Sequence, residues 1–228
     1  MADAPAPHDA AGHRGRLRDR LLADPAGLQD YELLEYLLGL AIRQGDTKPT
    51  AKALIREFGS IGRVLAAPPD ALMRIKGVKE TSAAAIRIAH ATALALLRNQ
   101  IAERPLLASW QAMLDYLRAD MAWLDIERIR ILYLDGKNRL IRDEVMSEGS
   151  VDTAALHIRE VVKRAIELSA TALILVHNHP SGDPQPSRAD IQLTRDIADA
   201  GRKLGIAIHD HVIVGANGHV SLRAQGLM

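Results

Sequence analysis

The stretch Ala170–Asp190, ATALILVHNHPSGDPQPSRAD, constrains the fold more than any other part of the chain. The apolar run 172–176 predicts a buried strand, because it is short and turn-forming residues follow it at once. His177 and His179 come at the end of this strand. Since alternate side chains of an extended segment share a face, both imidazoles can reach one point in space. The pattern predicts a pair of metal ligands.

A loop and a helix follow the two histidines. Residues 180–186 contain three prolines and a glycine, which exclude both a helix and a strand there. Ser187 begins a helix, and Asp190 lies in its first turn, facing back toward the loop. Two imidazoles and a carboxylate form the three-ligand set of catalytic zinc, with a fourth position left open. Ser187 and Asp190 also fit an N-cap pair, and capping is compatible with a role in the site.

The composition narrows the chemistry of this site. The chain has no cysteine, which excludes disulfides, thiolate ligands and cysteine nucleophiles, so a metal site must use nitrogen and oxygen. Either histidine alone would more often be a surface or core residue, whereas the pair favours a site. The net charge of +1 provides no overall attraction to nucleic acid. We find no apolar run long enough for a membrane span and no signal sequence, and we therefore expect a cytoplasmic protein.

The N-terminal half is predicted to be helical. We expect residues 1–13 to be a disordered tail and residues 14–100 to form a helical domain. Within that domain, Asp70–Ile86 has the pattern of a helix-hairpin-helix, whose amides can hold a nucleic-acid phosphate. Lys76, Gly77 and Lys79 are the candidate contacts, although the usual second glycine of the turn is replaced by Lys79. A hairpin of this kind can equally serve protein packing.

The C-terminal half is predicted to be a second domain, residues 106–228, which begins after Ile101–Pro105. Strands and helices alternate there, partly through a hairpin and partly through crossovers. This predicts an α/β (α+β) fold with a mixed sheet flanked by helices. The predicted elements are strands at Ile126–Leu134, Arg139–Met146, Ile206–Val214 and Gly218–Leu222, and helices at Ser109–Leu117 and Thr153–Leu168.

These motifs resemble a known family. His177-Asn178-His179-Pro180, followed by Ser187 and Asp190, is similar to the JAMM signature of JAB/MPN metallopeptidase-like domains, which share a cytidine-deaminase-like fold. Together with the segment DHVIVG at Asp210–Gly215, it more closely resembles the RadC family, historically described as DNA repair proteins. The resemblance extends from about residue 28 to the C-terminus. JAMM motifs usually have serine or threonine where this chain has Asn178.

The resemblance implies roles for individual residues. His177, His179 and Asp190 would bind one Zn²⁺, Glu127 would be the general acid/base, and Ser187 would stabilise an oxyanion. The residues alone do not choose among the candidate bases, and Glu148 is the second choice after Glu127; the others are Glu144 and Glu160.

Another histidine pair, His209 and His211, offers two imidazoles on one strand face and could form a second site, but we predict structural support of the metal ligands by His211.

The expected activity is a JAMM-type zinc hydrolase that cleaves a peptide or isopeptide-like amide bond in an unidentified protein or peptide. The rival is a non-enzymatic module that binds DNA through its helical domain, with a metal-stabilised C-terminal domain.

Overall fold

The computed structural model describes residues 7–102, 105–149 and 156–228. Two compact units divide the chain: a helical unit, Met1–Ala93, and a sheet unit, Leu94–Met228. No helix within these described residues is both long and apolar enough to cross a membrane. An all-helical N-terminal part followed by a mixed sheet with flanking helices confirms the predicted fold class.

The helical unit packs short helices around one apolar core. Leu34 and Leu38 of its second helix are buried there beside Leu54, Leu72 and Ile86. The third helix ends at Gly59, in a left-handed conformation (φ 87°) that glycine adopts without strain. The helices are α1 (Pro7–Ala23), α2 (Asp30–Ala41), α3 (Lys48–Phe58), α4 (Ile61–Ala66), α5 (Pro69–Met73) and α6 (Glu80–Ala102), with a short 3-10 helix at Pro25–Gly27.

The N-terminus differs from the predicted tail. Residues 1–6 lie outside the described residues, but α1 already begins at Pro7. His13, near the middle of this helix, contacts the buried Glu35 of α2, with 2.8 Å between Nε2 and Oε1. This contact and the buried Leu17 give α1 a tertiary partner, which the sequence of the tail did not reveal.

The hairpin between α5 and α6 leaves its two lysines in solvent. Lys76 and Lys79 are exposed, whereas Val78 between them is buried in the helical core. Gly77 has a φ of 95°, and a Cβ atom at this position would lie 2.6 Å from Oγ1 of Thr50. Glycine is therefore required both by the backbone conformation and by the close approach of α3.

The last turns of α6 belong to the sheet unit. Leu94, Leu97 and Ile101 recur on one face of this helix and pack against the core of the sheet unit. The division between the units accordingly falls between Ala93 and Leu94, ahead of the boundary that we predicted at residues 101–105.

The sheet unit contains a five-stranded mixed sheet within the described residues, in the order β2-β1-β3-β4-β5. The neighbours β3 and β4 are parallel, and the other neighbouring pairs are antiparallel. The strands are β1 (Glu127–Leu134), β2 (Leu140–Gly149), β3 (Ala172–Asn178), β4 (Ala207–Gly215) and β5 (Gly218–Ser221); the helices are α7 (Trp110–Met121), α8 (Ile158–Glu167) and α9 (Arg188–Arg202), with a 3-10 helix at Leu106–Ser109. Residues 153–155 of the helix predicted at Thr153–Leu168 lie outside the described residues, and the part from Ile158 is confirmed.

Both faces of the sheet are covered, which explains the continuous apolar run of β3. On one face, Ile174 and Val176 pack with Met113 and Leu117 of α7. On the other face, Leu173 and Leu175 pack in a core that includes residues of α8 and α9. All seven residues of β3 are consequently buried.

A buried charge network fixes the strand β1 against its neighbours. Arg130 approaches Asp120 of α7 (2.7 Å) and Asp143 of β2 (3.0 Å), and it donates a hydrogen bond to the hydroxyl of Tyr116 (2.7 Å). Tyr116 in turn donates to Asp143 (2.6 Å). Since a buried charge is tolerated only when it is paired, these contacts restrict how β1 can sit in the sheet.

Candidate metal centre

The two ligand histidines lie where the central strand β3 ends. His177 is buried within β3. His179 lies two residues farther along the chain, just after the end of the strand, and on the same side of the sheet as His177. The N–H of His179 donates to the carbonyl of Val214 on β4 (2.9 Å), which holds the chain in register after the strand. The Nε2 atoms of the two rings are 2.9 Å apart, as the two-residue spacing predicted.

The carboxylate of Asp190 comes from the first turn of α9. Its Oδ1 lies 3.4 Å from Nε2 of His177, and its Oδ2 lies 3.7 Å from Nε2 of His179. The three side chains offer ligand atoms that all lie within 4.8 Å of one another. The structure therefore brings together the three predicted ligands, a group that can hold a metal ion.

Ser187 caps the helix that carries Asp190. The backbone N–H and the hydroxyl of Ser187 both donate to Oδ2 of Asp190 (2.7 Å each), and the N–H of Asp190 donates to Oγ of Ser187 (3.2 Å). This reciprocal pairing is a capping box with aspartate in the acidic position. It fixes the carboxylate at the helix N-terminus, but it also engages the proton of the Ser187 hydroxyl.

The proline-containing loop packs closely against the end of β4. The carbonyl of Gly182 accepts from the N–H of Asn217 (3.1 Å), and Gly182 has a φ of 86°. A Cβ atom on Gly215 would collide with the backbone of Gly182. Glycine at residue 215 thus permits the close approach of the loop that follows His179.

The ring of His179 is oriented by a backbone carbonyl. Its Nδ1 lies 2.8 Å from the carbonyl oxygen of Asp183, which can only accept a hydrogen bond. Nδ1 therefore carries a proton, and Nε2 points toward Asp190 and His177; in the neutral ring, Nε2 is the nitrogen that has the lone pair. This is the protonation state that a metal ligand requires.

A chain of three hydrogen bonds orients the ring of His177 in the same way. Thr194 of α9 donates from Oγ1 to the carbonyl of Asp190 (2.6 Å), so its oxygen accepts from Nδ1 of His211 (2.6 Å). Nε2 of neutral His211 then accepts from Nδ1 of His177 (2.8 Å). The proton of His177 is consequently on Nδ1, and its Nε2 is free for a metal ion.

Burial keeps both rings of this chain neutral. It lowers the pKa of His177 to about 4 and the pKa of His211 to about 3. The interaction with Asp190 instead raises the pKa of His179. Burial alone would raise the pKa of the Asp190 carboxyl, but the hydrogen bond from His179, the proximity of His177 and the Ser187 cap hold it well below its usual value.

Glu127 faces the same centre. It begins β1, and its Oε1 lies 3.9 Å from Nε2 of His177. The side chain is only 14% exposed, and burial raises the pKa of its carboxyl. Among the other candidate bases, Glu144 pairs with Arg164 and Glu148 pairs with Arg128.

The second histidine pair does not form a site. A bulge in β4 places Ile208 opposite Leu173 and Asp210 opposite Ile174, so His209 is an extra residue between them. His209 contacts Oδ1 of Asn138 (2.6 Å), whereas His211 contacts His177. The prediction that His209 and His211 share a face was wrong because the bulge reverses the alternation between them.

Two residues of the centre were not assigned a role from the sequence. Asn178 was noted only as a departure from the JAMM pattern, and Thr194 lies within the helix that was predicted to begin at Ser187. Both are buried, and both make polar contacts with a neighbouring element. A buried polar residue within an apolar or ligand-bearing run is the signal that could have found them.

The fold and this centre define the chain as a mixed-sheet protein with a His-His-Asp group that could hold a metal ion. A family model described as "RadC-like JAB domain" matches residues 107–227, more than half of the 228-residue chain. The chain belongs to this family. The match covers the ligands, Glu127 and Ser187, and it does not include the helical residues Lys76, Gly77 and Lys79.

Proposed function

We propose that the sheet unit is a zinc-dependent hydrolase that cleaves a peptide or isopeptide-like amide bond. The observation that carries this proposal is the position of Glu127. A carboxylate with a raised pKa lies beside the neutral imidazole of His177 and a second carboxylate whose pKa is lowered. Two carboxylates with pKa values shifted in opposite directions suit different tasks, one as proton carrier and one as ligand.

The distances within the centre fit a zinc ion. Zinc–ligand bonds of about 2.0–2.1 Å at tetrahedral angles separate ligand atoms by about 3.3 Å. The two Nε2 atoms are 2.9 Å apart and lie 3.4 and 3.7 Å from different oxygens of Asp190, and one atom from each of the three residues lies within 4.8 Å of the others. Nitrogen and oxygen donors without thiolate match catalytic zinc centres with three protein ligands. Glu127 lies beside the three candidate ligands, 3.9 Å from Nε2 of His177.

The metal ion and Glu127 have different roles in the proposed hydrolysis. When bound, zinc would be held by His177, His179 and Asp190, and it would supply Lewis-acid chemistry that activates water and polarises a carbonyl group. Glu127 accepts a proton from the attacking water at Oε1 and later donates it to the nitrogen of the leaving amine. Burial favours this role because it raises the pKa of Glu127 toward neutral pH. An amide bond needs such a donor, since an amine leaves poorly unless it is protonated.

Ser187 is proposed as the donor to the oxyanion. Its hydroxyl is exposed and adjacent to Asp190, but its proton is engaged by Oδ2 of Asp190. To act on an oxyanion, the hydroxyl must rotate away from Asp190, while the backbone N–H of Ser187 continues to hold that carboxylate.

Metal content and hydrolysis test the proposal together. We expect about one zinc per chain, removal of the zinc in His177→Ala and His179→Ala, and retention of the zinc in Glu127→Gln. A mixture of peptides and isopeptide-linked conjugates, analysed by mass spectrometry, should reveal cleavage that Glu127→Gln slows by about 10²–10⁴-fold. His219→Ala, which changes an exposed histidine, is the control and should alter neither quantity. Stoichiometric zinc in both ligand variants would contradict the metal assignment.

A second candidate function is nucleic-acid binding by the helical unit. It is supported by the exposure of Lys76 and Lys79 on either side of the left-handed Gly77. This arrangement presents two positive charges next to the N-terminus of α6, a location that favours phosphate. Glu80 in the first turn of α6 opposes the same interaction.

A further inference from the structure

The side chain of Asn178 joins the strands β3 and β1 beside the metal centre. Asn178 lies between the two ligand histidines and is only 1% exposed. Its Nδ2 donates to the carbonyl of Ile126 (2.9 Å), and its Oδ1 accepts from the N–H of Arg128 (2.8 Å). Because the carbonyl can only accept and the N–H can only donate, the orientation of the amide is fixed by its partners.

These two hydrogen bonds are made to the peptide groups on either side of Glu127. The carbonyl of Ile126 belongs to the peptide bond before Glu127, and the N–H of Arg128 belongs to the peptide bond after it. A single side chain therefore restrains both peptide planes that meet at the Cα atom of Glu127. With these planes held, the side chain of Glu127 can vary only through its own rotamers.

The side-chain amide of Asn178 lies just beyond the last backbone pair between β1 and β3. The paired residues of β1 and β3 run from Leu134 and Ala172 as far as Ile129 and His177. Beyond that pair, β3 remains paired with β4 on its other side but no longer with β1. The amide of Asn178 offers one donor and one acceptor, as a peptide group does, and so it continues the pairing by one further step.

We propose that Asn178 is a positioning residue for Glu127. This inference rests on the proposed function, in which Glu127 carries the proton. Asn178 makes no contact with the ligand atoms; it acts through the backbone on either side of Glu127. Such control matters because a displacement of about 1 Å in a reacting group can lower a rate by about 10²-fold.

The residue type is specific for this task. Alanine removes both bonds. Aspartate keeps an acceptor for the N–H of Arg128 but places a second oxygen against the carbonyl of Ile126, 2.9 Å from the present nitrogen. Both Asn178→Ala and Asn178→Asp should therefore displace Glu127, whereas only Asn178→Ala should expose the N–H of Arg128.

Amide hydrogen exchange and zinc content test the positioning role without a substrate. In Asn178→Ala, we expect about one zinc per chain and exchange at the amide of Arg128 that is roughly tenfold faster, with no change at Ile131 farther along β1. In Asn178→Asp, the amide of Arg128 should stay protected. The matched control is Asn138→Gly, which removes another bridging side-chain amide, the one bonded to His209, at a residue with a φ of 58° that glycine tolerates. Unchanged exchange at Arg128 in Asn178→Ala would overturn the proposal.

Crystal structures and hydrolysis separate this inference from the proposed function. We expect the carboxylate of Glu127 to move away from Nε2 of His177 in both Asn178 variants, and hydrolysis to fall by about 10²-fold with little change in KM. Hydrolysis at the wild-type rate by a variant, under conditions where Glu127→Gln is inactive, would refute the positioning role and leave the hydrolase intact. If the wild-type protein cleaves nothing, the position of Glu127 in the variant structures still decides whether Asn178 holds it. If Asn178→Ala does not fold, Asn178→Asp provides the same structural and kinetic readouts.

Discussion

At the scale of single residues, the ring of His177 is oriented by a group that it does not touch. The carbonyl of Asp190 determines where Thr194 donates, Thr194 determines the tautomer of His211, and His211 determines the tautomer of His177. One ligand is thus linked to the backbone of another through two side chains. Outer groups of this kind commonly contribute 10–100-fold to metal affinity.

Replacement of Thr194 by valine tests this chain. Thr194→Val keeps the shape of the side chain but removes the hydroxyl, so His211 and His177 are free to adopt the other tautomer. We expect zinc affinity to fall by about 10–100-fold, measured by competition with a chelator. Thr194→Ser keeps the hydroxyl and should stay close to the wild-type affinity. Wild-type affinity in the valine variant would contradict the role of the hydroxyl.

Single residues also show which features of the centre can be predicted from the sequence. The clustering of the three candidate ligands could be predicted because two-residue spacing on a strand and a cap at a helix start are local rules, and these place His177, His179 and Asp190. The contacts of Thr194 and Asn178 could not be predicted, because their partners lie far away in the chain. Thr194 reaches a residue 17 positions away, and Asn178 reaches residues 50 and 52 positions away.

At the scale of elements, the sheet is joined to its helices by polar contacts as well as by the two cores. Arg164 of α8 donates to both carboxylate oxygens of Glu144 on β2, at 2.8 and 2.5 Å. This hydrogen bonding lowers the pKa of Glu144. The hairpin of β1 and β2 was predicted within a few residues, since its turn sequence is local, but the bulge at His209 depends on the partner strand β3.

The contact between α8 and β2 should make stability depend on pH. Because the pKa of Glu144 is lowered in the folded protein, its charged form contributes stability above the ordinary value of 4.5. That contribution is lost as the pH falls through the lowered pKa. Glu144→Gln should therefore unfold at lower urea concentration than the wild type at pH 7, and the difference should close as the pH falls below about 4.

Tryptophan fluorescence is the suitable measurement, because both tryptophans of the chain, Trp110 and Trp123, lie in the sheet unit. Glu160→Gln makes the same change of charge on the exposed surface of α8 and should differ little from the wild type at either pH. A gap between Glu144→Gln and the wild type that persists at low pH would exclude the ionic contribution.

At the scale of the whole molecule, the chain combines two units with different chemistry. The helical unit presents lysines at a hairpin, and the sheet unit contains the candidate metal centre. The order of the two units was predictable, since helical and strand periodicities change along the chain. The boundary between the units could not be predicted from the sequence, because the apolar face of α6 continues without interruption. Only the contacts of Leu94 and Leu97 assign the end of α6 to the sheet unit.

The candidate nucleic-acid function makes a separate prediction. If Lys76 and Lys79 contact phosphates, the double change to alanine should weaken DNA binding and reduce the slope of log K against log salt by about two. Zinc content should not change. The control is the double change of Lys163 and Lys203 to alanine, which removes two exposed lysines from the sheet unit. Failure of the wild-type chain to shift DNA at low salt would eliminate this function.

The contact between Gly215 and Gly182 has a consequence for inherited variation. A single methyl group at residue 215 would push back the segment that follows His179, so a mutation with no ligand, charge or hydrogen bond of its own could empty the centre. Damage to this protein can therefore arise at a position whose side chain is one hydrogen atom, and a survey of harmful variants restricted to chemically reactive residues would overlook it.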